Sequence, residues 1–371
     1  MTQSGHQPPA RHLYDLITVG DQFGAVASAA ILAKRGFRVL HIPSEVSTTS
    51  YNYEGYTWPS THSLLPRVST SSLFARLVRE IDLERDLKAA SHEVAFQYVK
   101  PGMRLSLAVD QSRREKELRR VFKDASADFE ASDEAIKAAS IAADAVIDHL
   151  PDLHPRLPWQ RWKLNKWIAQ TTSLHAAAPP PFDAFLSVPE MFAAYVSHAS
   201  PLTKSRTAGQ LQSGVTHFER GRDGLTKLML QRARSLGADI YGGDTKVESL
   251  SFSGPLPVSM KVTGKDATLH TTCLLVGMPG RSFAKLVPQS RFRRTDSLSC
   301  THALMTLNAL VPVQAIPPGL GECTIAKTPT QDGGAVLIEL TPAWQADGSA
   351  DKRYRMISFT TRASISLREN E

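Results

Sequence analysis

The stretch DLITVGDQFGAVASAAILAKRGFRVLHI, Asp15 to Ile42, decides the fold. Leu16 to Val19 is a continuous apolar run, as a strand buried on both faces of a parallel sheet requires. Gly20 marks a tight turn, Ala25 to Ala33 a helix of small residues, Gly36 its stop, and Val39 to Ile42 a second buried strand. Strand, turn, helix and strand in this order form a βαβ unit of the dinucleotide-binding kind, which sets phosphates at the helix N-terminus. That chemistry has a residue code: G-x-G-x-x-G at the turn and an acid after the second strand to hold a ribose. Counted from Gly20, the second glycine position is Gln22, the third is Ala25, and Pro43 stands where the acid belongs. The scaffold is complete and its phosphate code is broken.

The 371 residues are enough for two domains, and a hydrophobic share of 42% supports a large core. A charged share of 21% excludes global disorder. The net charge of +7 is spread along the chain without a nucleic-acid-binding signature, so no nucleic-acid partner is expected. Cys273, Cys300 and Cys323 match no zinc spacing, and no metal is expected. Their sparse, odd count suits a reducing compartment. The first ten residues are polar, unlike a secretory signal, and no apolar run reaches the ~18 residues that span a bilayer. The expected location is the cytoplasm, with peripheral membrane contact admitted.

Beyond Ile42, Ser44 to Trp58 reads as a polar, aromatic loop and Thr70 to Leu87 as one amphipathic helix. Ala95 to Val99 and Leu105 to Ala108 flank Pro101-Gly102 as a hairpin. Ser112 to Lys123 is a helix whose mixed charges predict a solvated face, and Asp133 to Leu150 is a second, amphipathic one. Pro151 to Pro181, rich in proline and tryptophan, reads as a hinge or a cover, with Trp159, Trp162 and Trp167 at helical spacing. From Val215 the pattern returns to α/β. A helix from Leu225 to Leu236 ends at Gly237, followed by strands at Asp239–Tyr241, Lys246–Phe252, Val258–Val262, Ala267–Thr272 and Cys273–Val276. Further strands are expected at His302–Val311, Ala335–Leu340 and Met356–Thr360.

This order of segments, with a glycine-led G-x-x-G-L-x-x-L helix, resembles the phytoene-desaturase and flavin amine-oxidase superfamily. The match runs through Gly221, Leu225, Leu228, Ala233, Gly237, Ala238, Ile240, Val247 and Leu250, then Leu274, Leu275, Val276 and Pro279. It implies an α/β fold with an FAD/NAD(P)-binding Rossmann-like domain (residues 1–95 and 210–300) and a helical, strand-containing second domain (96–209 and 301–371). The resemblance places FAD on the first turn, with Gly20, Gly24 and the backbone at Val247 as its surviving contacts. Gln22, Ala25 and Pro43 depart from the motif. Asp21 adds negative charge beside the anion site, and Glu45 is a displaced substitute for the missing acid. The family's C-terminal glycine-rich flavin segment has no counterpart in the last sixty residues, which fits a short chain, a truncated one, or one completed by another chain.

Two functions follow from the resemblance. One is a pseudoenzyme: a non-catalytic binding or scaffold protein for a hydrophobic small molecule or a protein partner. The Rab GDP-dissociation inhibitors use this architecture without flavin, and their second strand ends like Val39-Leu40-His41. The alternative is an active FAD-dependent oxidoreductase of desaturase or isomerase type acting on an apolar, isoprenoid-like substrate, as an oligomer or a two-chain assembly. No catalytic residue stands out. His62, His149, His154, His175, His198 and His217 are dispersed, Ser282 is not in a nucleophile elbow, and Gly221 to Gly224 lacks the Lys-Ser/Thr of a P-loop. Asp223 is expected to cap a helix, and Arg291, Arg293 and Arg294 to form a solvated cationic loop.

Overall fold

In a computed structural model of the chain, the described residues are 13–43, 50–62, 65–66, 72–107, 110–123, 126–148, 157–175, 206–207, 209–210, 214–218, 220–242, 245–253, 256–263, 268–278, 280–287, 302–327 and 335–364. The chain opens with β1 (Leu13–Val19), α1 (Phe23–Lys34), β2 (Val39–Ile42), β3 (Ser50–Tyr53), β4 (Tyr56–Pro59) and β5 (Leu65–Pro66). Next come α2 (Ser72–Glu80), α3 (Glu84–Ala90), β6 (Ser91–Val94), β7 (Phe96–Lys100) and β8 (Met103–Leu107). Three helices follow, α4 (Gln111–Phe122), α5 (Ser126–Asp148) and α6 (Pro158–His175), then β9 (Val215–Phe218) and α7 (Gly221–Ser235). The remainder is β10 (Asp239–Ile240), β11 (Val247–Ser253), β12 (Leu256–Val262), β13 (Leu269–Val276), α8 (Gly280–Ala284), β14 (His302–Pro312), β15 (Cys323–Lys327), β16 (Ala335–Trp344) and β17 (Ala350–Ser364).

Two compact units result. The first comprises Met1–Thr48, Leu77–Ala90 and Arg222–Cys300; the second comprises Thr49–Arg76, Ser91–Gly221 and Thr301–Glu371. Residues 49–76, 91–95 and 210–221, expected within the nucleotide domain, group with the second unit, where β6 pairs with β9.

The first unit is built on a six-stranded sheet in the order β10-β2-β1-β13-β12-β11. β10, β2, β1 and β13 run parallel, and β12 and β11 continue as an antiparallel ribbon. Tyr14, Ile17, Val19, Leu40, Ile42, Leu250, Met260 and Leu269 share one buried cluster, which explains the apolar residues of β1 and β2, while Thr18 and His41 are buried polar positions on the same strands. α1 stops as the sequence predicts. Gly36, at φ +84°, is the left-handed residue of a Schellman end in which Phe37 N–H donates to Leu32 O at 3.1 Å. Gly237 ends α7 in the same way.

The second unit carries a six-stranded sheet, β14-β17-β16-β15-β7-β8, a three-stranded sheet, β5-β9-β6, and the β3-β4 hairpin. Its core joins Phe96, Tyr98, Leu105 and Leu107 to Leu118 of α4, Phe129 of α5 and Ile325 of β15.

Several expectations change. The loop read into Ser44 to Trp58 is a hairpin from Ser50 to Pro59, its turn made by Glu54 (φ 46°) and Gly55 (φ 79°), the paired positive angles of a type I′ turn. Residues 44–49 lie outside the described residues. The single helix over Thr70 to Leu87 is two. Asp82 at φ 51° closes α2, with Leu83 N–H donating to Val78 O at 2.9 Å, while Ile81 and Leu83 turn into the core. The strands expected at Ala267–Thr272 and Cys273–Val276 are one strand, β13. Within Pro151 to Pro181, residues 158–175 form α6, with Trp159 and Trp162 exposed. α4 presents Arg113, Lys116, Arg119 and Arg120 to solvent as predicted, but Arg114 is buried against Asp133 of α5 at 2.6 Å. Asp223 does not cap a helix, because α7 already begins at Gly221; it lies in the first turn, where a carboxylate complements the helix dipole.

Candidate functional site

The turn between β1 and α1 brings Gly20, Asp21, Gln22, Gly24 and Ala25 together at the end of the parallel strands, where open α/β sheets bind ligands. Gly20 sits at φ +94°, and its N–H donates to Ile42 O at 2.8 Å. A Cβ there would lie 2.6 Å from the carbonyl carbon of Gly277, which leaves no room for any side chain. Gly277 in turn donates to Val19 O at 2.7 Å and accepts from Gln22 N–H at 3.2 Å. A Cβ on Gly277 would meet Ala25 Cβ at 2.6 Å. Gly20 and Gly277 are therefore glycines because the turns after β1 and β13 interlock. Gly24 differs: nothing lies within 4 Å of where its Cβ would be, so packing does not demand its bare backbone.

Gln22 is the N-cap of α1, with extended backbone (φ −62°, ψ 140°) and no capping hydrogen bond from its side chain. It stands where a pyrophosphate would need close backbone approach. Asp21 is held beside it, its Oδ1 3.3 Å from His41 Nε2 on β2. His41 is fully buried, and its Nδ1 lies 2.9 Å from Thr18 Oγ1 of β1. Both ring nitrogens of His41 thus have a polar neighbour, Thr18 on one side and Asp21 on the other, and the buried ring fixes where the carboxylate sits. Asp21 consequently sets a negative charge in the first-strand turn against the positive end of α1, which amounts to roughly half a charge.

Val247 begins β11, pairs with Val262 and packs its side chain on the cluster containing Ile17, Leu40 and Ile42. Pro43 follows β2 directly. Glu45, Arg291, Arg293, Arg294, His149, His154 and His198 lie outside the described residues. The link of His41 to Thr18 and Asp21 comes from the parallel register of β1 and β2, Thr18 opposite His41, and has no local signal in the sequence. The same holds for His92. In the second unit His92 and His217 stack at 5.1 Å between centroids, with Glu322 against His92.

No protein-family model matches the chain, and no curated protein matches it. Solved structures do share its fold. A Rab GDI from Plasmodium falciparum superposes with a TM-score of 0.57 at 9% identity, over 97% of this chain and 84% of that one. An oxidoreductase from Methanosarcina mazei gives 0.53 at 13% identity, over 95% and 79%. A double mutant of putrescine oxidase, redesigned in its cofactor binding, gives 0.50 at 12% identity, over 95% and 76%. At such identities the likeness is one of fold: α/β, of the FAD/NAD(P)-binding Rossmann-like class.

Proposed function

We propose that the chain keeps an FAD/NAD(P)-type nucleotide unit without using FAD as a redox cofactor, and acts as a binding or scaffold protein for a hydrophobic ligand or a protein partner. The observation that carries this reading is the mouth of α1. Gln22 places a side chain on the pyrophosphate path, and Asp21, anchored by His41, adds a like charge to a diphosphate. These residues do not fit the pyrophosphate of FAD. The second unit supplies apolar surface for a partner: Met305 and Leu307, 60% and 68% exposed, alternate on β14 at the end of its sheet. A Rab GDI with the same fold supports the reading as a precedent. Among the described residues no helix is long and apolar enough to cross a membrane.

The second reading is an FAD-dependent oxidoreductase of desaturase or isomerase type on an apolar, isoprenoid-like substrate, the narrower kinship with phytoene desaturases. Gly24 favours it, since a glycine that packing does not require suits a ligand lying close to the backbone. One experiment separates the two: incubate the purified chain with FAD, pass it through gel filtration and record the visible spectrum. The binding-protein reading expects no retained flavin at high micromolar FAD. Flavin absorbance near one equivalent per chain overturns it.

A further inference from the structure

His92 on β6 and His217 on β9 face each other directly in an antiparallel pair, the geometry that brings cross-strand side chains into contact. Their rings stack with an interplanar angle of 12°. Glu322 arrives from a third place. β6 leads straight into β7, and β15 pairs in parallel with β7, Cys323 opposite Phe96, so the residue before β15 lies beside the β6 end. Glu322 Oε2 is 3.1 Å from His92 Nε2, and its Oε1 is 3.3 Å from Arg355 Nη2 on β17. One donor atom from each of His92, His217 and Glu322 lies within 4.8 Å of the others.

Two features distinguish this cluster from an ordinary surface ion pair. His217 is 4% exposed, and its Nδ1 is buried with no hydrogen-bond partner, an arrangement that gives up hydration without return. The opposite side is open: the side chains of His92 and Glu322 are 60% and 36% exposed, which leaves an entry path from solvent.

We infer that His92, His217 and Glu322 form a binding site for one divalent transition-metal ion of the zinc type. Two imidazoles and a carboxylate are a donor set that zinc accepts, with bonds of about 2.0–2.2 Å. Those lengths require donors no more than roughly 4 Å apart, so rotation of the exposed His92 and Glu322 by under about 1 Å closes the set. Three protein ligands leave a fourth position for water or another ligand. Arg355 is the opposing feature: its guanidinium holds one oxygen of Glu322 and places a positive charge beside the ion.

The test uses the full chain, stripped with a chelator and titrated with Zn(II) by calorimetry and with Co(II) by visible absorption. The expected result is one equivalent bound, with Co(II) ligand-field bands. His92→Ala and Glu322→Gln, both on the exposed side, each weaken binding by about tenfold or more with unchanged circular dichroism. Arg355→Leu strengthens it several-fold. His217→Ala abolishes the bands if the variant folds. No saturable binding by the wild type, or full affinity retained in both His92→Ala and Glu322→Gln, overturns the site.

Discussion

The turn after β1 and the face between α4 and α5 both place a charged residue close to a partner, with opposite consequences. Arg114 and Asp133 are 4% and 6% exposed, paired at 2.6 Å, and Lys137 adds a second contact to Asp133 at 2.7 Å. Both charges are taken out of water and held against each other, so the pair is structural. Asp21 is about a third exposed and stands 3.3 Å from the buried His41 ring at the mouth of α1. A buried pair thus reports on packing, and a half-exposed carboxylate held in place reports on ligand preference.

The strongest way to break this comparison is Asp133→Ala, expected to destabilise the second unit by about 3–5 kcal/mol because Arg114 remains buried and charged. The double change Arg114→Met, Asp133→Leu should recover most of that loss in urea denaturation, since the hydrophobic pair avoids desolvating two ions. An equal loss in both variants would show that the pair does more than satisfy itself. Next in size is Gly20→Ala. The positive φ and the overlap with Gly277 together predict a loss of about 3 kcal/mol, seen as a lowered denaturation midpoint.

At the ligand end of the comparison, the triple change Asp21→Asn, Gln22→Gly, Pro43→Glu removes the charge, clears the path and restores a ribose acceptor. Fluorescence titration should show FAD affinity raised by about tenfold or more, that is at least ~1.4 kcal/mol. Unchanged affinity would mean that the turn does not lie on the pyrophosphate path. The smallest effect is Gly24→Ala, which should stabilise α1 by about 0.5–1 kcal/mol, because its Cβ enters open space inside a helix. If that variant also lost FAD binding, the enzyme reading would gain over the binding one.

Much of the first unit was legible in the chain because its signals are local. Leu16 to Val19 and Val39 to Ile42 are apolar but for Thr18 and His41, Gly36 and Gly237 stop helices through their own positive φ, and each signal needs only its immediate neighbours. The hairpin at Glu54-Gly55 escaped because glutamate is an unusual first residue for a type I′ turn, and Asp82 hid a helix end because aspartate rather than glycine took the left-handed position. Gly20 looked like a phosphate glycine; only the closeness of Gly277, 257 residues away, shows that the sheet itself requires it.

The chain alone therefore determined the βαβ order, the helix stops and the departures of Gln22, Ala25 and Pro43 from the phosphate pattern, all of which depend on residues adjacent in sequence. The tertiary structure decided which distant residues meet. It anchored Asp21 through Thr18 and His41, buried one arginine out of a charged helix, and gathered His92, His217 and Glu322 from three separate segments. Strand register and burial create those relations, and neither is encoded in local spacing.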